Sequence, residues 1–337
     1  MNVCICGGGN LGHVMAAYLS GKTDARVSVL TRRPEAWNMV LYATEPDGEV
    51  FSGELCCVSA DPAEVVSDAD MVFVCLPGFA ISDELQKIKP YLKDGAAVGS
   101  VVSNSGFFFE ALEILEERTA LFGFQRVPFI SRIKEYGKSC ELKGYKTSLS
   151  VAVERSSDKL SIVKTLEGFF RIPVKLLGSH YEASLSNSNP LLHPARLYTM
   201  WGDWQPGMVY EHNPMFYEEW DNRASELLIA MDNEFMNLLD VLGIKGHGTI
   251  TPILEYYDSW NVASLTAKIT SIRAFKGIMS PMLQKDTGFV PDFHSRYFTE
   301  DIPYGMRFIV ETAAANGVSI PVISKVYAWG TECIDKF

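Results

Sequence analysis

A histidine framed by two prolines is the feature of this sequence that points most directly to chemistry. His193 lies in the run Asn189-Pro190-Leu191-Leu192-His193-Pro194. Imidazole is the side chain whose ordinary pKa lies nearest neutrality, so it can both give and take a proton during turnover. We therefore predict that His193 is a catalytic acid and base and that Asn189 binds substrate. The structural alternative is a histidine that caps a helix or fills a gap in the core.

A second polar segment, residues 292–306, carries two further candidates. Arg296 offers a planar fork of donors that can bind a substrate carboxylate at two points. Asp301 could orient His193 and stabilise its imidazolium, as a carboxylate does in catalytic triads. A pair of surface charges is the alternative for both residues. The functional interpretation expects His193, Arg296 and Asp301 to converge in the folded protein.

The elements that would position these residues begin with a glycine turn. A short apolar strand over residues 3–6 leads into Gly7-Gly8-Gly9-Asn10-Leu11-Gly12, and a helix pattern follows from His13 to Leu19. Glycines in the spacing Gly-x-Gly-x-x-Gly allow a tight turn, close approach of a pyrophosphate and close packing of helix on strand. This arrangement predicts a dinucleotide site formed by Gly7, Gly9, Asn10, Leu11 and Gly12.

Strands and helices alternate through the first half of the chain. Apolar strand patterns recur at residues 26–30, 71–76, 96–102, 147–154 and 174–177, with a helix pattern at 81–92. Such alternation predicts an α/β, Rossmann-type doubly wound parallel sheet with ligands at the carboxyl ends of its strands. Leu76 and Pro77 end one of these strands, so we expect them to join the cofactor site.

The residues after the second strand indicate which dinucleotide is bound. A fold specific for NAD usually carries an acid at that strand end, where it binds the ribose hydroxyls. This sequence has Thr31-Arg32-Arg33 there. Arginine pairs well with a phosphate, so Arg32 and Arg33 favour NADP, while NAD remains open.

The second half of the sequence reads as helical. Helix patterns occur at residues 182–188, 195–201, 214–242, 262–275 and 305–316, with breaks expected at Pro190 and Pro194. We therefore predict a dinucleotide-binding domain over residues 1–180 and an all-helical substrate domain over residues 181–337.

Composition narrows the class of partner. A formal net charge of −11 argues against nucleic acid, which requires a basic face. Neither a secretory signal nor a membrane-spanning run is apparent, and the seven cysteines are scattered, so we expect a reduced, cytoplasmic protein. With no Cys-x-x-Cys pair and no paired histidines, no metal site is predicted.

Taken together, the motifs resemble those of the octopine/nopaline dehydrogenase family, the opine dehydrogenases. The resemblance is carried by Gly7-x-Gly9-x-x-Gly12, by Asn189-Pro190-Leu191-Leu192-His193-Pro194, by the segment from Arg296 to Gly305, and more weakly by Val127 to Ile133 and by Ala274 to Ile278 with Pro281. These segments span nearly the whole chain.

The resemblance implies the reductive condensation of an amino acid with a 2-keto acid. An imine would form from the two small molecules and be reduced by hydride from a nicotinamide cofactor. Carried over by motif, His193 would be the general acid and base, Asp301 its orienting carboxylate and Arg296 the carboxylate anchor. Phe129 and Arg132 would contribute to substrate binding, although the family usually has Trp where this chain has Phe129.

Two other functions fit the same layout. A reductase of the ketopantoate reductase kind would use a catalytic lysine of the helical domain, for which Lys268 and Lys276 are available. A dinucleotide sensor without catalysis would need neither His193 nor Asp301.

Several other side chains have structural interpretations. We expect His13 to be structural or close to the cofactor, and the remaining histidines to be surface or packing residues: His180, His212, His247 and His294. An aromatic cluster could line an apolar substrate pocket, although the core of the helical domain or the interface of a homodimer is the more usual role of such a cluster: Trp201, Trp204, Tyr210, Phe216, Tyr217 and Trp220.

Overall fold

A computed structural model describes residues 1–244 and 249–336. The chain divides into two compact units, Met1–Ser184 and Leu185–Phe337, whereas the sequence predicts a boundary near residue 180. The segment between these points is a short helix, His180–Ser184. It packs on the first unit because Ala183 is fully buried in one of that unit's hydrophobic clusters.

The first unit is built on an eight-stranded sheet with the strand order β12-β11-β8-β7-β6-β1-β2-β5. Neighbouring strands run parallel except for β8 and β11, which pair antiparallel, so the predicted parallel sheet has one reversed pair. The strands of this unit are β1 (Asn2–Cys6), β2 (Arg26–Leu30), β3 (Val40–Thr44), β4 (Val50–Glu54), β5 (Cys57–Ser59), β6 (Met71–Val74), β7 (Ala97–Ser100), β8 (Ala120–Phe124), β9 (Phe129–Glu135), β10 (Ser139–Tyr145), β11 (Leu149–Glu154) and β12 (Val174–Leu176).

Hydrophobic clusters cover both faces of this sheet. In β1, Val3 and Ile5 belong to one cluster while Cys4 and Cys6 belong to the other. A strand buried on both faces is apolar throughout, as the sequence of β1 is. The helices that cover the sheet are α1 (Asn10–Lys22), α2 (Pro62–Val65), α3 (Ile81–Ile88), α4 (Phe107–Ile114), α5 (Lys159–Phe170) and α6 (His180–Ser184).

A second, four-stranded sheet packs beside α1 and was not predicted. Its strand order is β4-β3-β10-β9. These strands alternate buried and exposed positions, and Leu41, Ala43, Phe129 and Leu142 enter the same core as α1. These four strands gain a buried face only when segments far apart in the sequence associate. They do not form continuous apolar runs, so strand patterns based on such runs did not predict them.

The second unit is helical, as predicted, with the addition of one antiparallel hairpin. Its elements are α7 (Asn189–Trp201), α8 (Asn222–Val241), α9 (Ile253–Tyr256), α10 (Val262–Ser271), β13 (Met282–Lys285), β14 (Gly288–Pro291), α11 (Arg296–Thr299), α12 (Arg307–Ala315) and α13 (Pro321–Lys336).

Two predicted helix limits are wrong for identifiable reasons. Helix α7 continues through Pro194. Pro190 lies in the first turn, where its missing N–H costs nothing, and Pro194 removes one backbone bond from a helix buried along most of its length. Helix α8 begins only after its N-cap Asp221, whose carboxylate accepts from the backbone N–H of Ala224.

The segment before α8 is a loop although its apolar spacing suggests a helix. Within residues 214–221 the backbone pairs with the segment 278–280 instead. The N–H of Phe216 donates to the carbonyl of Ile278 at 2.7 Å, and Met215 forms an isolated bridge with Met279. This pairing satisfies backbone groups that a helix would have used, and it holds the loop in place.

Two kinds of feature are absent from the described residues. Within residues 1–244 and 249–336, no helix is long and apolar enough to cross a membrane. Over the same described ranges, no three His, Cys, Asp or Glu side chains gather as a metal site would require.

Candidate active site

The glycine turn between β1 and α1 has the geometry of a dinucleotide site. Gly7 has a φ of +120°, which only glycine adopts readily. A Cβ on Gly12 would lie 1.9 Å from the carbonyl oxygen of Gly7, so that position requires close packing. A Cβ on Gly9 would meet no atom within 4 Å. The open side of the turn faces the uncapped N-terminus of α1, where a phosphate is favoured.

A cavity of about 760 Å³ lies against this turn. This volume is in the range of ordinary cofactor sites. Six residues predicted to bind the cofactor line it: Gly7, Gly9, Arg32, Arg33, Leu76 and Pro77. The cavity therefore brings together the glycine turn, the residues that follow β6 and two arginines, a lining that suits a dinucleotide.

The other three residues predicted to bind the cofactor lie in the first turn of α1. Asn10, Leu11 and Gly12 are absent from the cavity lining described within residues 1–184. The side-chain oxygen of Asn10 accepts from the backbone N–H of Ile133 at 2.7 Å, and Leu11 packs against the core. In this structure these residues therefore fix the shape of the turn.

The cavity also has a wall that the sequence did not reveal. Tyr136, in the turn between β9 and β10, lines it, and the guanidinium of Arg33 lies 4.2 Å from the centre of the Tyr136 ring. Glu84 also lines the cavity. Burial raises the pKa of its carboxyl group, whereas the charges of Lys87 and Arg32 lower it. The pairing of β9 with β10 and the contacts of its ring with His13 and Trp37 place Tyr136 here.

His13 joins the glycine turn to that wall. Its Nε2 accepts from the backbone N–H of Gly137 at 2.7 Å, so Nδ1 carries the proton and donates to the carbonyl of Gly9 at 3.0 Å. Burial lowers the pKa of this imidazole. His13 is thus a structural residue beside the cavity, one of the two roles expected for it.

In the second unit, the structure brings His193 and Asp301 together. Nδ1 of His193 lies 2.7 Å from Oδ2 of Asp301, and their side chains are only 9% and 17% exposed. Helix α7 supplies the histidine, and the turn after α11 supplies the aspartate. The two segments approach closely at Gly305, where a Cβ would lie 2.5 Å from Cγ of Pro190. The two sequence motifs are therefore packed against each other.

The other ring nitrogen of His193 has a partner that the sequence did not single out. Nε2 lies 2.7 Å from the hydroxyl oxygen of Tyr217, which is buried in the loop before α8. The Tyr217 ring stacks on Phe275 with a centroid distance of 4.1 Å. Burial, followed by the neighbouring Tyr297, raises the pKa of Tyr217. From the sequence, Tyr217 is only one of six aromatic residues that could line a substrate pocket, a core or a subunit interface.

Arg296 lies near this pair but is engaged elsewhere. Its guanidinium forms two hydrogen bonds to the carboxylate of Glu300, at 2.8 and 2.6 Å, and its side chain is 82% exposed. The bonds to Glu300 raise the pKa of Arg296, and the charge of Asp301 adds to the effect. The structure therefore does not join Arg296 directly to His193.

The other three residues predicted to bind substrate differ in how deeply they are buried. Asn189 is half-buried in the first turn of α7, where its N–H donates to the side-chain oxygen of Asn187. Arg132 is exposed on β9. Phe129, however, is 2% exposed and packs on Tyr18 at 4.8 Å. The inward-facing register of β9 puts that ring in the core of the first unit, which corrects its expected position in a substrate pocket.

Other sequence candidates have structural surroundings. Lys268 pairs with Asp258 on the surface, and Lys276 is exposed. His180 bonds to Glu154, and His212 and His294 are exposed, whereas His247 lies outside the described residues. Most of the aromatic cluster, including Trp201 and Trp220, fills the core of the second unit, so it gives no support for a subunit interface.

Comparisons with known proteins match both units. A family model described as NAD/NADP octopine/nopaline dehydrogenase, alpha-helical domain, matches residues 176–334. A model described as ketopantoate reductase PanE/ApbA matches residues 3–118, within the dinucleotide-binding unit. The octopine dehydrogenase of Pecten maximus is 32% identical over 366 aligned residues, which cover 100% of this chain and 91% of that protein.

Solved structures give the same result. The structure of octopine dehydrogenase with NADH and L-arginine is 29% identical, covers 99% of this chain and 90% of that chain, and has a TM-score of 0.86. The structure with NADH and pyruvate has a TM-score of 0.84 at 29% identity and covers 99% and 89% of the two chains. With its glycine turn, its helical unit and its full-length similarity to these enzymes, this chain belongs to the octopine/nopaline dehydrogenase family, the opine dehydrogenases, which are nicotinamide-dependent oxidoreductases.

Proposed function

We propose that this protein reductively condenses an amino acid with a 2-keto acid to give a secondary amine dicarboxylate, and that His193 handles the protons of the reaction. The observation that carries the proposal is the buried contact between His193 and Asp301 at 2.7 Å. Both residues come from the motifs that distinguish the helical unit, and a shielded imidazole–carboxylate pair is suited to acid–base chemistry.

The carboxylate of Asp301 fixes the imidazole for this task. An ionised carboxylate only accepts hydrogen bonds, so the proton on Nδ1 is held toward Asp301 and Nε2 becomes the exchanging nitrogen. The negative charge also stabilises the imidazolium that forms whenever His193 takes a proton. Asp301 thereby sets both the orientation and the charge of the base.

Arg296 is proposed to bind a substrate carboxylate in place of Glu300. Its guanidinium already binds a carboxylate through two parallel bonds, which is the geometry that a keto acid or an amino acid would use. Because the side chain is exposed, an exchange of partners does not require unfolding of the core. Asn189 and Arg132 are retained as proposed substrate contacts.

For the cofactor, we propose NADP in preference to NAD. When bound, the nicotinamide supplies the hydride. Arg32 and Arg33 line the cavity after β2, and the ring of Tyr136 supports the guanidinium of Arg33. Stacking pre-orients the fork of Arg33 for a 2′-phosphate, which NAD lacks.

Replacing Arg32 and Arg33 with alanine tests the cofactor preference. Loss of charge-assisted hydrogen bonds worth about 1.5–3 kcal/mol should weaken NADPH binding about tenfold or more. NADH binding should change far less. Arg26→Ala is the matched control, since Arg26 is exposed at the start of β2, the strand that precedes Arg32 and Arg33, and does not line the cavity. Equal losses for NADPH and NADH in the double variant would reject the NADP assignment.

The reaction itself is tested by following oxidation of the reduced cofactor while amino acids are crossed with pyruvate, 2-oxoglutarate and glyoxylate. L-Arginine with pyruvate is the first pair, because octopine dehydrogenase has been solved with each. We expect oxidation only when both partners are present. An equal rate with the keto acid alone would instead indicate a reductase of the ketopantoate reductase kind. Unchanged turnover in His193→Ala would remove His193 from the mechanism.

A further inference from the structure

The cavity beside the glycine turn is lined by hydrogen-bond donors at the end of β2. Thr31 follows this strand directly and lines the cavity together with Arg32 and Arg33. An acid at this place accepts hydrogen bonds from the ribose hydroxyls of NAD. The carboxylates that line the cavity, Asp83 and Glu84, come from α3 instead. The end of β2 therefore suits a group that accepts hydrogen bonds, as a phosphate does.

Tyr136 reaches the same part of the cavity from the second sheet. It lies half-buried in the turn between β9 and β10 and lines the cavity. A Cβ on Gly8 would lie 2.6 Å from Oη of Tyr136 and 3.0 Å from Oγ1 of Thr31. The two hydroxyl groups therefore converge on the middle of the glycine turn, beside the end of β2.

The ring of Tyr136 also positions an arginine. The guanidinium carbon of Arg33 lies 4.2 Å from the centre of this ring, within the range of about 6 Å over which a cation is attracted to an aromatic face. Arg33 is exposed, so without this contact its long side chain would be free to adopt many rotamers. Tyr136 thus combines a hydroxyl next to Gly8 with a face that restrains Arg33.

Contacts with α1 and with the segment after β2 fix Tyr136 itself. The N–H of Gly137 donates to Nε2 of His13 at 2.7 Å, and the rings of His13 and Tyr136 meet edge to face with centres 4.9 Å apart. Trp37 packs on the other part of the Tyr136 ring, with centres 6.0 Å apart. Tyr136 is therefore held in place by the protein alone, and little conformational entropy is lost when a ligand binds to it.

We propose that Tyr136 is a cofactor-binding residue that selects NADP: its hydroxyl donates a hydrogen bond to the 2′-phosphate, and its ring holds Arg33 for the same phosphate. This inference deepens the proposed function and rests on its NADP assignment. It adds to the site a residue from outside the glycine turn and the end of β2.

The hydroxyl and the ring of Tyr136 make separable contributions. NADPH and NADH differ only in the 2′-phosphate, so a contact with this group changes the affinity for NADPH alone. Tyr136→Phe removes the hydroxyl and keeps the ring against Arg33. Tyr136→Leu removes both, so it should weaken NADPH binding more than Tyr136→Phe does.

Fluorescence titration with NADPH and NADH measures these effects without turnover. Tyr136→Phe should weaken NADPH binding about tenfold or more, because it removes a hydrogen bond to a charged acceptor, and should leave NADH binding unchanged. Calorimetric titration with 2′,5′-ADP and 5′-AMP should show the same selective loss for the mononucleotide that carries a 2′-phosphate. Tyr42→Phe is the matched control, since Tyr42 is exposed on β3 of the same sheet and does not line the cavity.

A double-variant cycle tests whether the ring acts through Arg33. Tyr136→Leu should weaken NADPH binding less when Arg33 is already alanine than when Arg33 is present, since the ring then has no guanidinium to hold. Equal losses in the two backgrounds would overturn the role of the ring. Tyr136→Phe keeps the ring that packs on His13 and Trp37, so the role of the hydroxyl is tested even if Tyr136→Leu does not fold.

Unchanged NADPH affinity in Tyr136→Phe, in a protein that prefers NADPH, would overturn the inference and leave the NADP assignment intact. Equal losses for NADPH and NADH would also overturn it, because the hydroxyl would then serve a part that both cofactors share. Tighter binding of NADH than of NADPH by the intact protein would instead reject the NADP assignment, and this inference with it.

Discussion

The glycine turn of the first unit and the imidazole network of the second unit are built in different ways. The turn depends on backbone conformation and on the absence of side chains, as at Gly7 and Gly12. The network depends on side chains from α7, the loop before α8 and the segment after α11. A backbone site is encoded within a few adjacent residues, whereas a side-chain site depends on how distant segments pack. The two sites should therefore respond differently to substitution.

The largest expected effect separates proton transfer from cofactor binding. His193→Ala should lower kcat by about 100- to 10,000-fold because the positioned acid and base is lost. Affinity for the reduced cofactor, measured by fluorescence titration, should be unchanged, since the glycine turn lies in the other unit. His294→Ala, on an exposed histidine of the same unit, is the control with normal kcat. Loss of cofactor affinity in His193→Ala would contradict the assignment of proton transfer to the second unit and cofactor binding to the first.

The next effect concerns the backbone site. Gly9→Ala should fold normally, because the added methyl group meets no protein atom within 4 Å. It should nevertheless weaken cofactor binding about tenfold or more, by keeping a phosphate from backbone amides whose charge-assisted bonds are worth about 1.5–3 kcal/mol. Gly168→Ala is the matched control, since Gly168 is equally open but lies on the exposed side of α5. Equal cofactor affinities for the two variants would contradict the site.

A smaller effect should appear in stability at Asp232, a buried carboxylate of the second unit. Burial raises its pKa to about 6, although the backbone N–H of Ile253 acts in the opposite direction. The folded protein thus binds this proton more tightly than the unfolded chain, whose pKa is about 3.9. The free energy of unfolding should fall as pH rises from about 4 to about 6, by up to about 3 kcal/mol for this group.

In Asp232→Asn, the free energy of unfolding should not fall in this way as pH rises. The amide oxygen of the new side chain can still accept the hydrogen bond from the backbone N–H of Ile253. Urea unfolding at pH 4 and pH 7 measures the difference between variant and intact protein. We expect the variant to gain stability relative to the intact protein at the higher pH. A difference that does not change with pH would show that Asp232 titrates normally.

The smallest effect is expected at the lysine that a ketopantoate-type mechanism would use. Lys268 forms an exposed ion pair with Asp258. Water and salt screen exposed pairs of this kind, so Lys268→Ala should leave both stability and kcat nearly unchanged. A large loss of kcat would move the chemistry from His193 to Lys268.

The same contrast explains how much the sequence revealed. The glycine turn, strand β6 and the contact between His193 and Asp301 were predictable because their motifs are local or resemble a known family. Tyr136 and Tyr217 were not, because each depends on a pairing of segments far apart in the chain: β10 with β3 for Tyr136, and Met215 with Met279 for Tyr217. Phe129 was misplaced for a related reason, since the second sheet that buries it shows only weak alternation in sequence.

The central claim is that one turnover joins an amino acid, a keto acid and a hydride in a single product. The most direct measurement supplies a ¹⁵N-labelled amino acid, an unlabelled keto acid and cofactor deuterated at the transferred position, and analyses the product by mass spectrometry. We predict a secondary amine that contains ¹⁵N and carries deuterium on the former keto carbon. A deuterated 2-hydroxy acid with the labelled amino acid recovered unchanged would contradict the account.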